Sequence, residues 1–500
     1  MLAVIWGVLL TACAPTGGQE LPPEPEEGVL IYAALNPVKK ELREYIERFN
    51  KRHEDVQIVV RDYSDENGVQ RLLTELALGQ VPDIMEMQRF GEGKDSPYAF
   101  DAYKARPEGE YWMPYRQMAQ KGYLEDLWPY IENDPSLGLD DVLMPPLKAA
   151  EVNGGLYMIF PEFTVTTMTA AEHIVGDRWG QGMEELVERY TPEKGKKYAS
   201  LVGTEYLAER LRGWTLGELT ETFAAMPEGS TILRLNAVRR DVYDMLCAPL
   251  LEQYVDMETG ETSFDSQGFQ DMLAFLGSFP EEFKTTLSED NLKADMVERM
   301  LTGRQLLEAV TFRTMESITS ADTFWGTPLA VVGYPTADGS LGSYFNLHGS
   351  KLAMSATCRY KEAAWEFMRR ELAEKHTYAE LQDMKGYGAV RKICVNLANY
   401  NQAIDYELTE NLWIDMSTNR TGYFSGPLGE RLFEVDLPSE YDLARFEMLV
   451  SSTTQIYWPD SALSDIVWEA VGPYFAGDRS LEETVGMIDK QVRLYVNENR

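Results

Sequence analysis

The feature that most constrains this chain is an alternation of short apolar runs and amphipathic stretches that begins at Val29. Val29-Leu30-Ile31-Tyr32-Ala33 is continuously apolar, as expected of a strand covered on both faces. Asn36-Pro37 breaks the run, and Val38, Leu42, Tyr45, Ile46 and Phe49 then recur at helical spacing. Val56 to Val60 reads as a second strand. Val69, Leu72, Leu73, Leu76 and Ala77 form a second amphipathic face that Gly79 stops. Pro82-Asp83 leads into a third strand over Ile84 to Met87. A β-α-β-α-β order demands parallel strands and right-handed crossovers, hence an α/β sheet with helices on both faces. Ligands of such sheets sit beyond the carboxyl ends of the strands. Those ends fall near Asn36, Ser64 and Glu86–Gln88.

One core does not serve the whole chain. Its 500 residues exceed the roughly 250–300 at which a single core stops growing, and 44% apolar residues supply material for two. Lys and Arg number 46 against 81 Asp and Glu, a formal net charge of −35. That balance argues against nucleic acid and against a polybasic grip on anionic lipid. The cysteines (Cys13, Cys247, Cys358, Cys394) and the four histidines are widely scattered, with no CxxC and no HExxH. No metal or cofactor is expected. Nor is there a Gly-x-Ser-x-Gly elbow or a Gly-x4-Gly-Lys-Ser/Thr phosphate cradle.

The first residues bear on location. Met1 to Ala12 is almost wholly apolar and too short for the ~20 residues of a transmembrane helix, but it fits the core of a secretory signal. Residues 14–28 carry four prolines, three glycines and four glutamates, and read as an extended tether. Leu10-Thr11-Ala12-Cys13 resembles the lipobox of bacterial lipoproteins, whose cysteine is lipid-modified after cleavage. The expected order is a signal over 1–12, then lipidated Cys13 and its tether over 13–28. A buried N-terminal strand with an incidental cysteine is the plainer alternative.

Further pieces are spread along the chain. They are Leu72 to Met87 (LLTELALGQVPDIMEM), Lys121 to Ile131 (KGYLEDLWPYI), Asn153 to Pro161 (NGGLYMIFP) and Gly213 to Leu219 (GWTLGEL). Gly333-Tyr334-Pro335, Ala363 to Arg370 (AAWEFMRR), Gly386 to Arg391 (GYGAVR) and Tyr474 to Gly477 (YFAG) follow. In this order they resemble the extracellular solute-binding proteins, family 1, of bacterial ABC importers, of the maltodextrin-binding type. The resemblance implies a two-lobed, periplasmic-binding-protein-like fold (type II) with three chain crossings between α/β lobes. We place the crossings near Pro161–Thr164, Arg304–Val310 and Lys351–Ala356. The N-terminal lobe would then hold 29–162 plus 307–352, and the C-terminal lobe 163–306 plus 353–500.

It also implies a function without chemistry. The chain would be a monomeric, lipid-anchored receptor on the extracellular face of the cell membrane. It would capture a carbohydrate between the lobes and deliver it to ABC permease subunits. A binding protein for a peptide or other non-sugar solute, or an anchored glycan-active enzyme, stays open, since two carboxylates in a cleft are invisible to sequence. Sugars stack their C–H faces on aromatic rings while carboxylates and amides bond their hydroxyls. On that chemistry the candidate ligand residues are Asn36, Glu86 and Gln88 at the first strand ends, and Glu162 and Phe163 on the first crossing. Thr311 and Phe312 follow a strand expected over Leu306–Val310, Asn346 and His348 lie in a loop before the last crossing, and Tyr387 sits in the GYGAVR loop. Phe163 and Phe312 have a plainer reading as core, Glu86 as a helix cap, and His348 as a satisfied polar residue.

Overall fold

The computed structural model describes residues 27–90, 111–176, 211–235, 237–256, 259–284, 289–374, 393–409, 421–426, 429–434, 438–458 and 461–499. Strand β1 (Val29–Ala34) is buried from Leu30 onward and pairs in parallel with β2 (Gln57–Asp62) and β3 (Ile84–Glu86). The crossover helices are Lys40–Arg52, which buries Ile46 and Phe49, and Gly68–Ala77, which buries Leu72 and Leu73. Asn50 ties the first helix to β2, its Oδ1 accepting from Ile58 N at 2.8 Å and its Nδ2 donating to Ile58 O at 3.0 Å. Two short strands, β4 (Gln88–Arg89) and β5 (Tyr111–Trp112), extend from the end of β3 as a separate antiparallel pair.

A second sheet is built on β6 (Glu162–Ala171), ten residues long. Strand β7 (Glu308–Phe312) lies antiparallel on one side of it; β9 (Ser343–His348) lies antiparallel on the other. β8 (Leu329–Val331) pairs with the far end of β6. The first sheet is then completed by β10 (Leu352–Met354), antiparallel to β3, and the second by β11 (Ile393–Cys394) on β6. β12 (Thr421–Gly426) and β13 (Gly429–Glu434) form a hairpin apart from both sheets, and β14 (Gln455–Ile456) runs parallel to β9. The expected α/β class holds: two sheets, each flanked by helices.

The lobe boundaries differ from expectation. Residues 307–352 do not join 29–162, because β7, β8 and β9 all hydrogen-bond toward β6 and only β10 returns to the first sheet. Arg304–Val310 is therefore no crossing. Leu306 N and Leu307 N donate to Thr231 O and Ile232 O, both at 2.9 Å, within the second lobe. Residues 353–373 also depart from the expected C-terminal lobe. Phe367, on the helix Lys361–Met368, meets Tyr32 and Phe49 of the first lobe at ring-centroid distances of 5.8 and 5.7 Å. The chain thus passes between sheets from Ile159 to Glu162, back from His348 to Leu352, and again between the helix Arg370–Ala373 and β11. The first two passages touch: a Cβ on Gly349, whose φ is +70°, would run into the Pro161 ring.

Candidate functional site

The carboxyl ends of β1 and β3 meet at Glu86. Its carboxylate accepts from Tyr32 Oη at 2.7 Å, Leu35 N at 2.9 Å, Asn36 N at 3.0 Å and Asn36 Nδ2 at 2.8 Å. Asn36 Nδ2 also donates to Gln88 O, and its Oδ1 accepts from Phe90 N, both at 2.8 Å. Burial pushes the Glu86 pKa up, and the bonds from Tyr32 and Asn36 pull against it. Of the predicted residues, Asn36, Glu86 and Gln88 are brought together, but by bonding to one another's side chains and backbone.

The second sheet supplies a different surface. In an antiparallel pair, residues directly opposite share a face. Glu162 stands opposite His348, Thr164 opposite Asn346, and Thr166 opposite Tyr344 on one side and Thr311 on the other. Asn346 Nδ2 donates to Thr166 Oγ1 at 2.6 Å, Thr166 and Thr311 hydroxyls are 2.7 Å apart, and His348 Nε2 lies 3.1 Å from Thr164 Oγ1. Four predicted residues, Glu162, Thr311, Asn346 and His348, therefore sit on one polar face. Thr311 and Phe312 lie within β7, and Asn346 and His348 within β9, not in loops: Ser343-Tyr-Phe-Asn-Leu-His alternates buried and half-buried positions as a strand must.

Phe163 and Phe312 occupy the opposite face and are in the core, Phe163 edge-on to Phe345 at 5.1 Å. Their expected stacking against a ligand is corrected by the pleat, which turns every odd residue of this part of β6 inward. Tyr387 and Cys13 lie outside the described residues.

Aromatic rings border the polar face, and the sequence reading missed them. Tyr344 packs against Tyr334 at 5.3 Å and toward Tyr457 at 6.5 Å. Tyr457 reaches Trp112 of the first lobe at 6.3 Å, and Trp112 meets Trp458 at 4.7 Å. Trp458 Nε1 donates to Met113 O at 2.9 Å, and Arg116 pairs with Glu252 at 3.2 Å, so both contacts cross between lobes. Trp112 Nε1 is a buried donor with no acceptor among the described residues. Burial, then the nearby Tyr334, raises the Tyr344 pKa above its ordinary value.

At the other end of the face the passages between sheets crowd acidic groups together. Burial raises Glu371 to about 7; Arg370 opposes this, while Glu374, Glu86 and Glu162 add to it. Cys394, opposite Glu162, is raised to about 12 by burial and by that carboxylate. It is no nucleophile at neutral pH. Among the described residues no group of three His, Cys, Asp or Glu could hold a metal ion, and no helix is long and apolar enough to cross a membrane. What the face offers is a row of hydroxyl, amide, imidazole and carboxylate groups ending at aromatic rings.

No protein-family model matches the chain, and no curated protein matches it in sequence. Solved structures of similar form include a periplasmic oligogalacturonide-binding protein from Yersinia enterocolitica, at 13% identity and a TM-score of 0.47, covering 94% of this chain and 100% of that one. The sugar-binding protein MalE from Xanthomonas citri gives 12% identity and 0.45 over 94% and 97%. An extracellular solute-binding protein of family 1 from Alicyclobacillus acidocaldarius gives 15% and 0.44 over 94% and 98%.

Proposed function

We propose that this chain is a substrate-binding lipoprotein of an ABC importer that captures a carbohydrate between its lobes. One observation carries the reading. The face formed by Glu162, Thr164, Thr166, Thr311, Asn346 and His348 gathers carboxylate, hydroxyl, amide and imidazole groups, and it is edged by Tyr344, Tyr457 and Trp112. Amides, hydroxyls and a carboxylate suit sugar hydroxyls, while rings suit the apolar C–H faces of a pyranose. The lipobox-like Leu-Thr-Ala-Cys13 and the ordered sequence segments support export and anchoring on the outer face of the membrane.

Function follows without bond chemistry. An open form presents one half-site on each lobe, and a ligand that touches both stabilises the closed form by its preference for that state. A permease in the membrane would recognise the closed lobes. Three backbone passages restrict the motion to a hinge more tightly than a single linker would.

A thermal-shift screen against mono- and oligosaccharides tests the reading directly. A cognate sugar at a hundred times its Kd adds about 2.7 kcal/mol of stability, and small-angle scattering with it shows a smaller radius of gyration. Stabilisation by peptides and by no sugar removes the carbohydrate part. Release of reducing sugar from a glycan replaces the receptor with an enzyme. Cys13→Ser protein that still partitions wholly with membranes removes the anchor.

A further inference from the structure

In a chain with 35 excess negative charges, one groove on the first lobe is basic. An open depression of about 630 Å³ is lined by Arg48, Lys51 and Arg52 from one helix and by Arg369 and Arg370 from another, against only Glu366 and Glu374. Part of this charge is spent internally. Arg369 pairs with Asp134 at 2.8 Å, and Arg370 with Glu374 at 3.0 Å while lying over the Tyr45 ring. Glu366 is engaged by His53 at 3.2 Å. Arg48, Lys51 and Arg52 are exposed and have no ion-pair partner among the described residues. Lys51 and Arg52 end the helix Lys40–Arg52, where cations are favoured by the helix dipole. That accounts for two of the five, and not for the convergence of Arg48 with two arginines from a separate helix.

The acidic partner is already attached. Gly28 N donates to Tyr360 Oη, Gly28 O accepts from Gln57 N, and the residue packs on Asp55, three positions beyond Arg52. The chain preceding it therefore enters the lobe at the basic end of that helix. This preceding segment, Glu20 to Glu27, reads ELPPEPEE and contains four carboxylates and no cation. As extended polyproline it reaches about 25 Å at ~3.1 Å per residue, enough to cross the groove from Gly28.

We propose that the segment Glu20–Glu27 docks in this groove, its carboxylates facing Arg48, Lys51 and Arg52. A diffusible anion would need to compete with an attached one, whose effective concentration is on the order of millimolar. Three of its eight residues are proline, whose ring fixes φ, so such a sequence has little freedom to lose on docking. Exposed ion pairs are individually weak and screened by salt, so the docked state is reversible and ionic strength sets its population. While docked, it fixes how the first lobe stands relative to everything N-terminal of Glu20. This inference is independent of what the cleft binds.

Zero-length carbodiimide coupling of carboxylates to lysines in the full chain, read by mass spectrometry, tests the docking. Lys51 is the groove lysine; Lys39 and Lys40, about 16 Å away at the other end of the same helix, are the internal control. At low salt, Glu20 and Glu24 should couple to Lys51 about tenfold more than to Lys39 and Lys40. The excess should fall at least about fivefold in 0.5 M salt, where the Debye length shrinks to a few ångström, and in the double variant Arg48→Gln, Arg52→Gln, which leaves Lys51 to react. An unchanged melting temperature confirms that the variant is folded. Equal coupling at the two helix ends, yields indifferent to salt and to the double variant, or coupling only between copies would overturn the proposal.

Discussion

Two polar regions, one at the strand ends of the first sheet and one on a face of the second, are built on opposite principles. At the end of the first sheet, Glu86 is saturated by four donors from Tyr32, Leu35 and Asn36, and Asn36 closes the loop through Gln88 and Phe90. On the second sheet, side-chain contacts join Thr164 to His348 and Asn346, and Thr166 to Asn346 and Thr311; Thr164 is buried and the other four are half-buried. The first region uses its hydrogen-bonding capacity to hold strand ends together. The second keeps hydroxyls and amides that can accept or donate again. Polar residues at strand ends are thus not equivalent candidates: a buried carboxylate with four internal donors is scaffold, while half-buried amides and hydroxyls stay candidates for the proposed site.

The largest expected effect tests the scaffold side. Glu86→Ala orphans the Tyr32 hydroxyl and two backbone N–H groups and should cost about 3–5 kcal/mol in urea unfolding. Asn346→Ala should cost about 1 kcal/mol, since its Nδ2 loses one short bond, to Thr166 at 2.6 Å, and one long bond, to Thr164 at 3.4 Å, on a half-buried residue. Equal losses would break the comparison.

A third buried carboxylate sharpens it by pH. Glu308 has one side-chain donor among the described residues, Gln305 Nε2 at 2.8 Å, and burial raises its pKa to about 7. The folded state then binds the proton more tightly than the unfolded chain, where the group titrates near 4.5. Stability from this group is present below that value and is lost as pH rises to about 7, by up to about 3 kcal/mol. Glu308→Gln should flatten that fall in unfolding measurements at pH 5 and pH 8. A slope unchanged in the variant would place the titration elsewhere, with Glu371 the next group to replace.

The smaller effects concern recognition. Asn346→Ala should weaken binding of the sugar found in the screen about tenfold by calorimetry, the value of one good hydrogen bond. Tyr457→Ala should cost only about 0.5–1.5 kcal/mol, the part of an aromatic contact beyond its area. Wild-type affinity in both would move the site off this face.

How much of this was legible follows from periodicity. The first sheet could be read because β1 is apolar throughout and its crossover helices repeat at 3.6 residues. The second could not be placed, because β6 pairs with segments more than 130 residues away, and nothing local states which strand returns to which sheet. Residues 307–352 were accordingly expected in the wrong lobe. The site was half legible. Polar and aromatic residues were expected in one site, but the pleat leaves Asn346 half-buried on the polar face while Phe163 and Phe312 face in. The signal was present in the period-2 alternation of Tyr344 to His348 and of Glu162 to Thr166. Trp112 and Tyr457 carried no such pattern, since each follows or ends a two-residue strand.

The pairing of Trp112 with Trp458 has an optical consequence. One indole belongs to the first lobe and the other follows β14 of the second, edge to face at 4.7 Å, with Trp458 bonded to Met113 O. Under the proposed hinge motion, an opening that parts the two sheets here would separate the rings, break that bond and admit water to both. Emission should shift to longer wavelength in the open form and back on ligand addition. Trp458→Phe should remove most of the change while the remaining tryptophans hold the baseline. An unchanged emission maximum on addition of a sugar that binds would mean that this ring pair does not part in the proposed closure.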